Sequence, residues 1–279
     1  MLIRFWGARG SIPVCGKDTL RYGGDTTCVE IRTSDGQVVV VDAGTGIRRL
    51  GKKLIREGHK SCILLFTHAH WDHVMGFPFF LPVYHKDFRI RTMGCPFAQR
   101  TIKDVISKTM QPPSFPIKFS DISAQFQYTD ICERPFRIGS MTVAPILLSH
   151  PNQGMGYRFT EKGRSFVFLT DNELGVVHPG GLAMKDYVRF CRGADLLVHD
   201  SEYLDEEYPR RRAWGHSTLS QALHLALTSE VKSYGLYHHN QDRTDRQVDA
   251  MVSECRRRIR REGSKLRCFA VAQDQEVRL

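Results

Sequence analysis

Short, continuously apolar stretches recur along the chain, and a loop that begins with polar residues follows each of them. Residues 38–41 (VVVV), 62–66 (CILLF) and 166–169 (FVFL) have the length and composition of strands that are buried on both faces. Residues 143–148 (VAPILL) and 233–237 (SYGLY) follow the same pattern less strictly. We therefore predict a largely buried sheet whose strands end at polar loops.

Helical periodicity appears between and after these strands. Residues 46–58 (GIRRLGKKLIREG) place their apolar side chains on one face, as an amphipathic helix does. Thr218 with Gln221, and Thr244 with Gln247, have the Thr-x-x-Gln spacing of a capping box, which marks the start of a helix. Strands that alternate with helices in this way are typical of a layered α/β domain.

The alternation extends over the whole chain, so we predict a single domain at residues 1–279. Residues 86–140 fit it least well, because a helical pattern at 96–110 is followed by a proline-rich loop. We interpret residues 86–140 as a lid or an insertion over the functional site.

Composition and charge narrow the class of protein. No apolar stretch approaches the roughly 18 residues of a membrane-spanning helix, and the N-terminal stretch lacks the apolar core of a signal peptide. We therefore expect a cytoplasmic protein without a membrane partner, whose eight cysteines are reduced. The net charge of +10 favours anionic partners. The arginines at 256–261 are either the solvated face of a helix or an anion-binding patch, and both interpretations stay open.

Candidate metal-binding side chains are most concentrated in residues 67–73, THAHWDH, directly after the apolar stretch CILLF. Four side chains that bind metals stand here within six positions, and burying so many ionisable groups without a counter-charge is costly. A bound cation removes that cost, so we predict a metal site. His or Asp also follows three other apolar stretches: the residues are His150, Asp171 and the pair His238–His239. In α/β proteins, the loops after strands at one edge of the sheet are where ligands bind.

The chain resembles the metallo-β-lactamase superfamily in the order of its motifs. These are VVVVDAGTG, then HxHxDH, and then SH, TD and YH. The resemblance covers most of the chain and implies an α/β fold of four layers, an αββα sandwich, with the site at one edge of its two sheets. It also implies two divalent metal ions, for which imidazole and carboxylate ligands favour zinc or manganese, with iron as an alternative. The implied ligands are His68, His70 and His150 for the first ion, Asp72, His73 and His238 for the second, and Asp171 for both. In the same resemblance Asp42 orients the histidines, and His239 is the alternative to His238.

Two further motifs, HDSE at 199–202 and GHST at 215–218, resemble the corresponding stretches of ribonuclease Z-type phosphodiesterases. The resemblance implies that Asp200 and His216 transfer protons at the leaving oxygen, and we place Asp72 with them in the catalytic set. GHST also has a purely structural explanation, since it contains the capping box of the next predicted helix.

The segment between His150 and Asp171 decides the expected substrate. It has only twenty residues, whereas tRNA-processing members of the superfamily carry a long arm there. We therefore expect an anionic phosphodiester that is small or cyclic, as in cyclic-nucleotide phosphodiesterases, and that a metal-bridged hydroxide attacks. Nucleic acid is the less favoured substrate. The alternatives are a lactonase-type or other carbon-centred hydrolase, an RNA-processing nuclease, and a nucleotide binder without activity. A homodimer is left open.

Overall fold

A computed structural model describes residues 1–94, 101–130 and 134–279 of the chain. The strands in this part of the chain form two mixed seven-stranded sheets. In spatial order, the first sheet consists of β14 (Glu276–Arg278), β1 (Leu2–Gly7), β2 (Cys28–Arg32), β3 (Val38–Val41), β4 (Ser61–Leu65), β5 (Arg89–Gly94) and β6 (Gln125–Asp130). The second consists of β13 (Arg267–Ala270), β12 (Ser233–Tyr237), β11 (Leu196–Asp200), β10 (Arg164–Leu169), β9 (Met155–Glu161), β8 (Met141–Leu147) and β7 (Phe136–Ile138).

The two sheets pack face to face, with helices on their other sides. Phe5 of β1 meets Phe166 of β10 and Tyr237 of β12 across the interface, with ring centroids 6.3 and 6.0 Å apart. The helices are α1 (Ile47–Arg56), α2 (Trp71–Val74), α3 (Ile102–Lys108), α4 (Met184–Cys191), α5 (Leu219–Thr228) and α6 (Asp245–Arg261). Helices α1 and α3 pack on the first sheet, and α4, α5 and α6 on the second. The predicted αββα sandwich is confirmed.

Two helices begin where their capping boxes predict. The Thr218 hydroxyl accepts a hydrogen bond from the Gln221 amide at 3.2 Å, and the Gln221 side chain accepts one from the Thr218 amide at 3.0 Å. Thr244 and Gln247 make the same reciprocal pair at the start of α6. These bonds satisfy backbone N–H groups that have no partner inside the helix, which is why the spacing locates both helix starts.

Residues 86–140 contribute strands to both sheets. Strand β5 lies parallel to β4, and β6 lies parallel to β5, so both extend the first sheet. Strand β7 pairs with β8 at one end of the second sheet. Residues 95–100, where the predicted helix begins, and residues 131–133 lie outside the described part of the chain. The function of the segment as a lid stays a prediction.

The six cysteines in the described part of the chain are free thiols. Cys95 and Cys132 lie outside it. Among the helices described, none has the length and apolar character needed to cross a bilayer. The cytoplasmic location expected from the sequence stays a prediction.

Candidate metal centre

Seven side chains from four strand-end loops converge at one edge of the sandwich. They form two groups, in each of which the candidate ligand atoms lie within 4.8 Å of one another. The first group contains His68, His70, His150 and Asp171, and the second contains Asp72, His73, His238 and Asp171. The structure therefore brings together all seven residues that the sequence predicts as ligands, in the predicted division, with Asp171 shared.

The first group is arranged around two imidazoles that face each other. Nδ1 of His70 lies 3.0 Å from Nε2 of His150. Nε2 of His68 lies 3.5 Å from Oδ2 of Asp171. Nitrogen atoms at this separation point to one common centre, as two ligands of a single ion do.

The second group contains two carboxylates and two imidazoles. Oδ2 of Asp72 lies 3.1 Å from Nε2 of His238 and 3.4 Å from Nε2 of His73. The other oxygen of the shared carboxylate, Oδ1 of Asp171, lies 3.3 Å from Nε2 of His73. Because one oxygen of Asp171 faces His73 and the other faces His68, this carboxylate has the geometry of a bridge.

The outer nitrogens of the cluster histidines are held by the body of the protein. Nδ1 of His73 lies 2.8 Å from Oδ2 of Asp42, Nδ1 of His150 lies 3.0 Å from the Gly215 carbonyl oxygen, and Nδ1 of His238 lies 2.8 Å from Oε2 of Glu202. A hydrogen bond at one ring nitrogen fixes the tautomer and turns the lone pair of the other nitrogen inward. The contact with Asp42 agrees with the orienting role that the resemblance implies.

Two inward-facing nitrogens have no hydrogen-bond partner. Nε2 of His68 and Nε2 of His73 are buried, and neither makes a hydrogen bond within the described part of the chain. Buried polar atoms are otherwise almost always paired. Imidazole nitrogens and carboxylate oxygens are the donors that zinc and manganese accept, so these residues fit a pair of divalent ions.

The electrostatics of the two groups differ. Burial lowers the pKa of His150 to about 3, so its imidazole is neutral and keeps a lone pair. Burial also disfavours charge on His73 and His238, but the negative charges of Asp72 and Asp171 outweigh it and raise both pKa values well above the usual range. The carboxylates of the second group therefore stabilise positive charge beside them, as they would stabilise a bound cation.

Three strand-end residues adopt a left-handed backbone. The φ angles are 64° at Asp42, 55° at Asp171 and 55° at His238. Side chains other than glycine rarely occupy this region, and such strain concentrates at functional sites. The kink lets each strand end direct its side chain into the cluster.

The N-terminal loop GARGS closes one side of the cluster. The backbone N–H of Ser11 donates to Oδ2 of Asp72 at 2.9 Å. A Cβ atom at Gly10 would lie 2.2 Å from Nδ1 of His238, so only glycine fits there. The fully buried Arg9 donates to the carbonyl oxygens of three loop residues: these are Gly23, Asn240 and Arg243. The sequence analysis gave no indication of the role of Arg9.

The two histidines after β12 have different surroundings. His238 lies in the cluster, whereas Nε2 of His239 donates to the Val271 carbonyl oxygen at 2.8 Å. The ring of His239 also packs edge-on against Tyr22, with centroids 5.4 Å apart. The structure therefore places His238, and not His239, among the candidate ligands.

His216 lies at the edge of the cluster. Its ring stacks on that of His238, with centroids 4.7 Å apart. Nδ1 lies 3.9 Å from Oδ2 of Asp171 and is buried, with no hydrogen-bond partner among the described residues. Nε2 lies 3.5 Å from Oε2 of Glu202. Glu202 is thus the carboxylate that contacts both His216 and His238. It is the second acidic residue of HDSE, and this position in the motif could have identified it.

Asp200 is held by backbone groups of two loops. Its carboxylate accepts hydrogen bonds from the backbone N–H groups of Asn172 at 2.7 Å and Ser217 at 2.9 Å. Burial raises its pKa to about 7. Within the described part of the chain it makes no hydrogen bond or ion pair with His216, and the carboxylate that contacts His216 is that of Glu202. The proton-transfer role of Asp200 stays a prediction. Asp200 joins the loop after β10 to the start of α5.

Glu173 organises the loop that carries His216. Its buried carboxylate accepts four hydrogen bonds, at 2.6 to 2.8 Å: the donors are the Tyr208 hydroxyl, the Ala213 and Gly215 amides, and Nε2 of His178. The Gly215 carbonyl in turn accepts the bond from His150. Glu173 therefore fixes the loop from which both His150 and His216 are positioned. The sequence analysis missed it, although it lies two residues after Asp171.

Two facing mixed sheets, helices on both outer sides and a His/Asp cluster at one edge define a protein of the metallo-β-lactamase fold. Residues 37–239 match the family model described as beta-lactamase superfamily domain. The chain belongs to this superfamily, which confirms the predicted class, a hydrolase of the metallo-β-lactamase superfamily.

Comparison with individual proteins supports the same fold. A solved structure of the metallo-beta-lactamase fold protein YhfI from Bacillus subtilis has a TM-score of 0.70 and 14% identity, over 99% of this chain and 98% of that one. A diphosphatase from the PhnP family has a TM-score of 0.68 and 18% identity, over 100% and 97%. The ribonuclease Z of Haloarcula marismortui is 24% identical over 302 residues, which are 92% of this chain and 91% of the relative.

Proposed function

We propose that this protein hydrolyses a phosphodiester with the help of two divalent metal ions, zinc or manganese, held by the seven cluster residues. The observation that carries the proposal is the pair of ligand groups that share Asp171 and have His216 beside them. When bound, such ions activate a water molecule and polarise a phosphoryl oxygen.

The protein residues beside the ions supply the proton for the leaving oxygen. His216 is buried at the edge of the cluster, and its Nδ1 makes no hydrogen bond with any residue that the structure describes. Oε2 of Glu202 lies 3.5 Å from Nε2 of the same ring and orients the imidazole. Oδ2 of Asp72 accepts from the Ser11 N–H and is the same oxygen that faces His73 and His238 in the second ligand group. His216 is therefore the general acid of the proposal, and Glu202 takes the role that the sequence had given to Asp200.

A phosphorus centre fits better than a carbon centre. The ribonuclease Z relative and the diphosphatase neighbour both act, by their names, on phosphorus–oxygen bonds. The net charge of +10 favours an anionic substrate. A lactonase shares the metal ligands, but it has no evident need for His216 as a proton donor to a poor leaving group.

A small substrate is favoured over a folded RNA. The chain passes from His150 to Asp171 through β9 and β10, a direct antiparallel pair. No segment protrudes between them to grip a distant part of a large substrate. RNA processing is the second candidate, because the relative that aligns over 91% of its length is a ribonuclease Z.

One screen separates these functions. The metal-loaded protein is assayed on bis-p-nitrophenyl phosphate, a simple lactone, cyclic mononucleotides, cyclic dinucleotides and a tRNA precursor. We expect turnover of the phosphodiesters, the highest kcat/KM for a cyclic or other small one, and none of the lactone. Lactone turnover without phosphodiester turnover would refute the proposal, and a preference for the tRNA precursor would establish the second candidate.

A further inference from the structure

The chain has three tryptophans, and two of them are left in solvent. Trp6 is buried, and its indole N–H donates to Glu30 at 2.8 Å. Trp71 is 57% exposed and Trp214 is 62% exposed. Neither exposed indole N–H makes a hydrogen bond within the described part of the chain. Packing of the fold therefore explains Trp6 and leaves the positions of the other two unexplained.

Both exposed tryptophans are next to the metal cluster in the chain. Trp71 stands between the candidate ligands His70 and Asp72. Trp214 precedes Gly215, whose carbonyl oxygen accepts from His150 at 3.0 Å. Consecutive Cα atoms are about 3.8 Å apart, so the Cα atom of each tryptophan lies at that distance from the Cα atom of a residue that belongs to the cluster or contacts it. Trp71 follows a strand of the first sheet, and Trp214 lies in a loop that follows a strand of the second, so the two tryptophans come from different layers of the sandwich.

The backbone holds both tryptophans in place. The residues on either side of Trp214, Ala213 and Gly215, donate to the carboxylate of Glu173 at 2.7 and 2.8 Å. The Trp71 carbonyl oxygen accepts from the Met75 amide at 2.8 Å in helix α2. Exposed aromatic faces on a fixed backbone bind a ligand with little ordering cost.

Positive charge accompanies the aromatic faces. Arg210, Arg211 and Arg212 directly precede Ala213 and Trp214. The guanidinium of Arg211 lies over the ring of Tyr203, 5.2 Å from its centroid, which holds it beside the same loop. A ligand that matches this surface joins an anionic group to a flat aromatic group.

We propose that Trp71 and Trp214 form a stacking subsite for the base of a nucleotide substrate whose phosphodiester lies at the metal cluster. The proposal rests on the proposed function, and it adds that the substrate carries a nucleobase. Aromatic side chains stack on any base, because every base has a π-face. The subsite therefore selects nucleotides over alkyl phosphodiesters without selecting one base.

Two substrates with the same leaving group test the subsite. Thymidine 5′-(p-nitrophenyl phosphate) carries a base, and methyl p-nitrophenyl phosphate does not. We expect the wild-type protein to favour the nucleoside ester in kcat/KM, and Trp71→Ala and Trp214→Ala each to lower that preference about 10-fold, the effect of losing one stacking contact. Trp71→Phe and Trp214→Phe, which keep an aromatic face, should retain most of it. Leu20→Ala is the matched control, since Leu20 is 78% exposed and outside the cluster.

A binding measurement separates this proposal from the proposed function. Adenosine 5′-monophosphate, added to the metal-loaded protein, should quench the fluorescence of the exposed tryptophans, and the quenching should be reduced in each alanine variant. If neither ester is hydrolysed but the quenching occurs, the proposed function fails and the subsite stands. If the alanine variants keep both the preference and the nucleotide affinity of the wild type, the subsite does not exist.

Discussion

Replacing Glu173 with glutamine should weaken metal binding even though Glu173 is not a candidate ligand. Oε1 accepts from the Tyr208 hydroxyl and the Ala213 amide, and Oε2 accepts from the Gly215 amide and from His178. A glutamine has one acceptor oxygen, so its NH₂ group must face two of these four donors. Two hydrogen bonds are lost, and the two donors that made them now face the NH₂ group of the glutamine, which is itself a donor.

The magnitude follows from the number of donors left without a partner. Each unsatisfied buried donor costs about 1–3 kcal/mol, so the variant should lose about 2–6 kcal/mol of unfolding free energy if the loop stays in place. The loop can instead move and recover some of this energy. Movement would displace the Gly215 carbonyl, which lies 3.0 Å from Nδ1 of His150. Loss of such an outer contact typically reduces metal affinity about 10–100-fold.

Two measurements and one control variant test whether Glu173 positions the metal site. Urea unfolding of the metal-free protein gives the stability change, and competition with a chromogenic chelator gives the metal affinity. Glu206→Gln is the control, because Glu206 is exposed, lies near the same loop and loses the same charge. If Glu173→Gln and Glu206→Gln had the same stability and the same metal affinity, Glu173 would not position the site.

Four further outcomes are expected. Elemental analysis after metal loading should give close to two transition-metal ions per chain, and one ion or fewer would contradict the shared role of Asp171. Asp171→Ala should lose metal and activity together, as the same analysis beside a turnover assay would show. His216→Ala should keep its metal but lose about 100-fold or more in phosphodiesterase kcat, the usual contribution of a general acid; unchanged kcat would leave His216 with no catalytic role. Glu202→Gln should lower kcat more than Asp200→Asn, because only Glu202 contacts His216, and the reverse order would restore the assignment made from the sequence.

The candidate ligands could be predicted because each follows a recognisable strand. Continuous apolar residues mark where β3, β4 and β10 lie, and a His or Asp directly after such a strand has to emerge at the sheet edge. The helix starts at Thr218 and Thr244 were equally accessible, since a capping box is a local interaction of four residues.

The residues that support the site could not be found in this way. Glu173 binds groups that lie up to 42 positions away in the chain, and Arg9 binds carbonyl groups more than 200 positions away. Such contacts depend on how loops meet in three dimensions, and a single sequence contains no local pattern for them. Glu202 was passed over for Asp200 because the two acids of HDSE differ only in which loop each one faces.

The strands β5 and β6 were missed for a related reason. Arginine, glutamine and threonine alternate with apolar residues in RIRTMG and QFQYTD, so neither segment has the continuous apolar run that marks β3 or β4. Strands near the edge of a sheet are covered on fewer sides and tolerate such alternation. A search for buried strands therefore finds the centre of each sheet more readily than its margin.

The left-handed backbone at Asp42, Asp171 and His238 lowers the stability of the fold at three positions whose side chains serve the site. Glycine adopts this conformation without strain, whereas other residues incur about 1–3 kcal/mol each. A sequence optimised only for thermal tolerance would be drawn to glycine here, and as it gained stability it would give up two candidate ligands, Asp171 and His238, and the contact of Asp42 with His73. Engineering for heat resistance should therefore leave these three strand ends unchanged and seek stabilising substitutions elsewhere in the sandwich.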